Sequence, residues 1–159
     1  FKGFLYAGLM IVKEEPYLIE YNVRMGDPEC QTILPKLKND FVDVVNVCVN
    51  KDLKSLDLKW YEDKSLCIVL CSKGYPEKFQ NNIEIKNLDK IKLLNNEFIF
   101  HAGTKLDNGK ILSNGGRVLN FVIRSKNFSK SRIRGIELIK TLNWKNGFFR
   151  KDIGFKVID

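Results

Sequence analysis

The run Ile19-Glu20-Tyr21-Asn22-Val23-Arg24-Met25-Gly26-Asp27-Pro28-Glu29 holds the densest set of side chains able to do chemistry in this sequence. On a strand, side chains alternate, so positions 20, 22 and 24 share one face. That face carries a carboxylate, an amide and a guanidinium in order, at the end of the strand. Glu and Asn oxygens are hard ligands suited to Mg2+. Arginine beside them suits a phosphate or carboxylate gripped by two parallel N–H bonds. Turning three such groups into a closed core without partners would be costly. Together they describe a site for a metal-bound polyphosphate and an anionic partner. The same spacing equally describes a solvated strand face with a Glu20–Arg24 salt bridge.

Other candidates are more scattered. Asp27 follows Gly26 and precedes Pro28, where an aspartate can serve a turn or a helix N-terminus as readily as a ligand. Arg117 follows Gly115-Gly116, which permit close backbone approach to a ligand; a surface arginine beside a turn has the same signature. His101 is the only histidine. It lies in an apolar strand, so a packed, hydrogen-bonded ring is expected rather than a catalytic base. Arg150 and Lys151 either add to an anion site or cover a surface. Cys30, Cys48, Cys67 and Cys71 contain no C-x-x-C pair and no zinc spacing. The last three sit among Val, Ile and Leu and are expected to be buried, reduced thiols, as in a reducing cytosol.

The elements that would position these groups follow from periodicity. Phe4 to Val12 is continuously apolar, which predicts a strand buried on both faces. Glu14-Glu15-Pro16 reads as a turn and Tyr17 to Asn22 as a second strand, making a hairpin. Gly26-Asp27-Pro28 breaks the chain. Leu34, Leu37, Phe41, Val44, Val45 and Cys48 recur mostly at spacings of three and four, which predicts one helix. Asn50-Lys51-Asp52 ends that unit. Later strands are expected over Leu66 to Cys71, Phe98 to Thr104 and Val118 to Arg124, with turns at Gly74-Tyr75-Pro76 and Asp107-Asn108-Gly109. A second helix spans Ser129 to Leu142, with Ile133, Ile136, Ile139 and Leu142 on one side. The tail from Phe148 to Ile158 reads as extended. A boundary falls near residues 58–64, and the fold class is α+β with mainly antiparallel strands.

Length and composition narrow the classes. The 159 residues, 44% hydrophobic, suit one domain or a compact pair and argue against disorder. No apolar run approaches the roughly 20 residues that span a bilayer, and the N-terminus lacks a signal pattern. The chain starts at Phe1 rather than Met, as a fragment or a processed protein would. A net charge of +8 attracts anionic partners. Yet Lys outnumbers Arg 21 to 6 and the lysines are scattered, so composition explains the charge better. A small basic nucleic-acid-binding module, using Trp60, Tyr61 and Trp144, is the alternative class. No helix-turn-helix, zinc knuckle or RNP-like motif supports it.

The segment Ile19 to Arg24 resembles the metal-binding strand of ATP-grasp ligases. Gly26-Asp27-Pro28-Glu29 resembles the phosphoribosylamine–glycine ligase family in particular. Leu5-Tyr6-Ala7-Gly8-Leu9-Met10 resembles that family's preceding strand. Phe100-His101-Ala102-Gly103-Thr104, Gly115-Gly116-Arg117-Val118-Leu119 and Arg150-Lys151-Asp152-Ile153-Gly154 resemble its C-terminal domain. The order and spacing agree across almost the whole chain.

The resemblance implies a C-terminal fragment: residues 1–60 as the end of an ATP-grasp domain and 61–159 as a small mixed C-terminal domain with one helix. It implies an enzyme that joins glycine to 5-phosphoribosylamine with ATP, through glycyl phosphate, giving glycinamide ribonucleotide, ADP and phosphate. Glu20 and Asn22 would bind Mg2+ or Mn2+, and Arg24 would hold the γ-phosphate or the acyl phosphate. Asp27 would approach the ribose or amine of phosphoribosylamine, and Arg117 a substrate phosphate. The implied location is the cytoplasm, with no nucleic acid or membrane as partner. The fragment would pack against the enzyme's N-terminal domains. Another ATP-grasp carboxylate–amine ligase is the neighbouring alternative. Met25 and Cys30 depart from the family's more usual Phe and Thr. Ala7 and Gly8 stand where many ATP-grasp enzymes carry a second metal carboxylate. No lid sequence or Gly-rich phosphate loop is present, so the chain alone is expected to be inactive.

Overall fold

The computed structural model describes residues 1–158 and divides into two compact units, Phe1–Tyr61 and a second from Glu62 onward. In the first, strands β1 (Tyr6–Val12) and β2 (Glu15–Asn22) form an antiparallel hairpin. Lys13 and Glu14 close it, both at positive φ. Such a two-residue turn matches the twist of the flanking strands. The strand therefore resumes at Glu15, and the turn expected at Glu14-Glu15-Pro16 lies further back. Pro16 pairs opposite Ile11 in this two-stranded ribbon, where edge positions tolerate proline.

The expectation of a doubly buried first strand is corrected. Leu9, Met10 and Ile11 are all more than half exposed, as are Leu18 and Ile19 across from them. A two-stranded ribbon cannot cover its own faces. The single helix expected after the breaker is also corrected. It is two helices, α1 (Glu29–Ile33) and α2 (Phe41–Val49), with a 3-10 turn over Leu34–Lys36 between them. Pro35 starts that turn, and Asp40 starts the second helix by accepting from Val42 N at 2.7 Å and Asp43 N at 3.4 Å. Phe4 stacks on Phe41 at 5.8 Å, and Leu37 bridges to Trp60.

The second unit is a four-stranded antiparallel sheet with a helix on one face. The strands are β3 (Lys64–Ser72), β4 (Glu97–His101), β7 (Arg117–Ser125) and β8 (Gly147–Phe148), in the order β4-β7-β3-β8. A separate hairpin joins β5 (Thr104–Asp107) to β6 (Lys110–Ser113). Asn108 and Gly109 make its turn, both at positive φ, as the Asp-Asn-Gly run predicts. The single strand expected over Phe98 to Thr104 is two, with a bend at Ala102-Gly103. Gly103 N donates to Arg117 O at 2.8 Å, and a Cβ there would strike Gly115 Cα and that carbonyl. This close approach of three backbone segments ends β4.

Helix α3 (Phe128–Leu142) lies on the sheet. Its buried face is Ser131, Gly135, Leu138, Ile139 and Leu142, so the predicted face through Ile133 is corrected; Ile133 is exposed. The opposing sheet face pairs Leu66 with Ile123, Ile68 with Phe121 and Leu70 with Leu119, all buried. Gly135 turns inward because a Cβ there would sit 3.0 Å from the terminal methyls of both Ile68 and Ile123. Gly135→Ala gains helix propensity but crowds both methyls, which must shift by a few tenths of an ångström within a buried core. The expected result is a net loss of about 1 kcal/mol, or roughly 4–8 °C in Tm, checked by thermal denaturation. The tail is not extended as predicted. After β8 it turns, reaching a 3-10 turn over Phe155–Val157 through Gly154 at positive φ.

Candidate functional site

The hairpin places Glu20 opposite Gly8 and Asn22 opposite Tyr6. A Cβ on Gly8 would lie 3.1 Å from Glu20 Cγ, so the glycine gives the Glu20 side chain its room over β1. The register shifts between Gly8 and Leu9, a bulge of the kind that re-aims side chains. Asn22 Nδ2 donates to Glu20 Oε1 at 2.8 Å, so the two candidate ligands sit side by side. Strand β2 stops at Asn22, and Arg24 lies in the bend that follows, with Nη1 donating to Met25 O at 3.1 Å.

Tyr6 gathers the charges around this end. Its hydroxyl donates to Glu29 Oε1 at 3.2 Å. The Glu29 charge first, then burial and the hydrogen bond to Glu29, raise the Tyr6 pKa above its ordinary value. Glu20 adds to the rise and Arg24 opposes it. Gly26 is buried beneath this contact; a Cβ there would strike the Glu29 carboxylate and approach the Tyr6 ring. Asp27 is exposed and accepts from Gln31 Nε2 at 2.8 Å, in the turn entering α1. Cys30 Sγ lies 3.3 Å from Met25 Sδ, and burial pushes its thiol up.

Among the described residues no group of three or more His, Cys, Asp or Glu side chains could hold a metal. Glu20 and Asn22 offer a two-residue oxygen set once the amide turns its Oδ1 outward. That suits an ion that keeps several waters and takes its other ligands from phosphates.

Arg117 belongs to the second unit, where it opens β7. Its Nε donates to the Tyr75 hydroxyl at 3.4 Å. The Tyr75 ring covers Gly116, where any Cβ would strike it. His101 is hydrogen-bonded, with Nδ1 2.8 Å from Thr104 Oγ1, but it is exposed rather than packed as expected. It ends β4 at the bend, where the sheet no longer covers it. Arg150 forms a two-bond pair with Asp152, at 3.1 and 2.6 Å on an exposed surface, and Arg150 holds the Asp152 carboxyl below the usual range. Cys48, Cys67 and Cys71 are half-buried free thiols rather than fully buried ones. Trp144 is tied by Nε1 to Glu84 O at 3.1 Å and half-buried, whereas Trp60 and Tyr61 are exposed.

Sequence reasoning missed Tyr6, Glu29 and Tyr75 as site residues. Only Gly-Tyr-Pro at 74–76 and the glycine in an apolar strand at Gly8 carried a signal for the geometry.

Known proteins share this arrangement of chain. A family profile described as phosphoribosylglycinamide synthetase, C domain, matches residues 65–156. Another, described as phosphoribosylglycinamide synthetase, ATP-grasp (A) domain, matches residues 1–30. The phosphoribosylamine–glycine ligase of Brucella melitensis is 38% identical over 159 residues, covering 100% of this chain and 37% of its own length. The trifunctional purine biosynthetic protein adenosine-3 of Gallus gallus is 43% identical over 157 residues, covering 98% of this chain and 16% of its own length. The crystal structure of phosphoribosylamine–glycine ligase from Thermotoga maritima matches with a TM-score of 0.76 and 30% identity, over 94% of this chain and 36% of that one. The chain thus spans little more than a third of such ligases.

Proposed function

The chain belongs to the phosphoribosylglycinamide synthetase family, and from that membership we propose that it supplies the phosphate-handling strand and the C-terminal domain of a phosphoribosylamine–glycine ligase. Residues 1–60 are the end of the ATP-grasp domain and 61–159 the C-terminal domain. The profile matches over 1–30 and 65–156 support this division. The observation that carries the chemistry is the Glu20–Asn22 contact at 2.8 Å, over a glycine that leaves the carboxylate room.

In the reaction, a glycine carboxylate oxygen attacks the γ-phosphorus of ATP, and ADP leaves. The amine of 5-phosphoribosylamine then attacks the acyl carbon of glycyl phosphate, phosphate leaves, and the amine's proton goes to solvent or the departing phosphate. Glu20 Oε and Asn22 Oδ1 would hold Mg2+ or Mn2+, which would supply positive charge to offset that on the transferred phosphoryl group. Arg24 places its guanidinium at the strand end. One of its five N–H groups is used on Met25 O, which leaves donors for the γ-phosphate and then the acyl phosphate. Tyr6 and Glu29 hold the loop from Gly26 against β1 and so fix where β2 ends. Asp27 meets the ribose or amine of phosphoribosylamine. Arg117, steadied by Tyr75, meets a substrate phosphate. The cytoplasm is the proposed location; half-buried free thiols suit it, and among the described residues no helix is long and apolar enough to cross a membrane.

The exposed apolar ribbon β1–β2 fits packing against the rest of the ligase, so the 159-residue chain alone is expected to release no ADP above background. A chimaera in which this chain replaces the corresponding part of the Thermotoga maritima ligase should release ADP only with glycine and phosphoribosylamine together. A folded chimaera that needs neither substrate, or that accepts another acid and amine in their place, would overturn the reading.

A further inference from the structure

A cavity of about 550 Å³ opens in the second unit, lined by Lys73, Lys78, Phe79, Gln80, Ile83, Lys145 and Asn146. Its size falls in the range of small-molecule sites. No carboxylate lines it. Three lysines therefore line one concave wall with Gln80 and Asn146, and no acid in that lining offsets their charge. By contrast, Lys86 pairs with Glu84 at 3.6 Å and Lys59 with Asp57 at 4.0 Å.

The wall is held by backbone bonds rather than by loose side chains. Lys73 N donates to Asn146 O at 2.8 Å, which brings the turn after α3 against the end of β3. Gly74, at φ +99°, folds the loop so closely that a Cβ would strike Lys78 O. Only glycine takes this conformation freely, and it sets Lys73 and Lys78 on the same cavity. Ile83 and Ser113 bond in both directions, Ile83 N to Ser113 Oγ at 3.2 Å and Ser113 N to Ile83 O at 2.9 Å. Phe79 packs edge-on to Tyr75 at 6.0 Å and supplies an aromatic surface beside the lysines.

We propose that this cavity binds a phosphate-bearing anion larger than inorganic phosphate, either free pyrophosphate or the phosphate of a nucleotide whose base lies on Phe79. Lys73, Lys78 and Lys145 neutralise the phosphates, while Gln80 and Asn146 donate to their oxygens. The assignment uses none of Glu20, Asn22, Arg24 or Arg117 and stands apart from the ligase reading.

The test is calorimetric titration of the 159-residue chain with pyrophosphate, inorganic phosphate and AMP at fixed ionic strength. Pyrophosphate or AMP should bind more tightly than phosphate. Lys73→Gln with Lys145→Gln should weaken that binding at least tenfold, whereas Lys105→Gln with Lys110→Gln on the β5–β6 hairpin should change it less than twofold. Tighter AMP binding that Phe79→Ala abolishes would assign the nucleotide; equal loss for pyrophosphate and AMP in the lysine variant, without a Phe79 effect, would assign the free anion. In the unaltered chain, pyrophosphate should also protect Lys73, Lys78 and Lys145 from acetylation, read by mass spectrometry, so the answer does not depend on a variant folding. No heat and no protection at 10 mM, equal competition by sulfate, or tighter binding of a single-stranded oligonucleotide through the same lysines would each overturn the proposal.

Discussion

Arg24→Met in the chimaeric ligase is expected to lower kcat by about a thousandfold, the scale of removing a charged donor from a developing phosphoryl or oxyanion charge. The effect should fall on kcat and kcat/KM alike, since in the proposed role the guanidinium meets charge that grows as the γ-phosphoryl moves. Arg24→Lys should recover part of the loss, because an ammonium keeps the charge but not the paired, planar N–H bonds. Glu20→Gln is the companion change: it leaves the hydrogen bond to Asn22 possible but removes an anionic ligand, so the Mg2+ concentration for half-maximal rate should rise. Steady-state kinetics across Mg2+ concentrations checks both. A variant that raises KM with kcat intact would make Arg24 a holder of the ground state, and unchanged kinetics would remove it from the site.

The local geometry of that site was largely legible, and the reason is periodicity. Alternation on a strand puts residues 20 and 22 on one face whatever the rest of the fold does, and Asn22 does lie beside Glu20. What alternation cannot give is where the strand ends. Alternation counts Arg24 as a third residue of that face, yet β2 stops at Asn22, because Tyr6, the partner of Asn22, begins β1. The pairing of Gly8 with Glu20 was hidden too, since it depends on a bulge at Ile19 that shifts the register.

Longer elements failed where a local signal outweighed a repeat. Leu34 to Cys48 keeps helical spacing, but Asp40 caps a new helix in its middle, and the spacing across the break is incidental. In α3 the apolar count favoured Ile133, whereas packing favoured Gly135, the residue that lets two isoleucine methyls reach the helix. The apolar run at β1 reported a strand fit for an apolar setting, not which polypeptide provides it. No principle of sequence reading linked Glu97 to Arg134, since they are 37 residues apart and ionisable residues are abundant.

That pair carries the largest expected loss of stability. Glu97, at the start of β4, has a side chain only 2% exposed. Its carboxylate accepts from Arg134 Nε at 2.8 Å, from Arg134 Nη2 at 3.1 Å and from Leu94 N at 3.0 Å. Arg134 Nη2 also donates to Lys92 O at 3.1 Å, so one guanidinium of α3 fastens both the strand and the loop before it. Burial alone would raise the Glu97 pKa; the Arg134 bonds, the Leu94 N–H and the Arg134 charge outweigh it and hold the carboxyl below its ordinary value. Arg134→Ala strands a buried carboxylate and should cost about 3 kcal/mol, at the low end for a broken buried pair because Arg134 is partly exposed. For a unit of this size that is a drop of roughly 15 °C in Tm. Because the folded-state pKa is depressed, the pair's contribution is complete above the ordinary carboxylate range and is lost as pH falls through the lower folded value. Unfolding midpoints from pH 7 to pH 3 should therefore fall less steeply for Glu97→Gln than for the unaltered chain. Glu97→Met with Arg134→Met together should recover more than half of the single-variant loss, since no buried charge is then left unpaired; Leu94 N–H loses its acceptor, Lys92 O its side-chain donor and the exposed Glu137 its partner at 3.5 Å. If the double variant is as unstable as Arg134→Ala, the stem packing of these side chains rather than their charges holds β4 to α3.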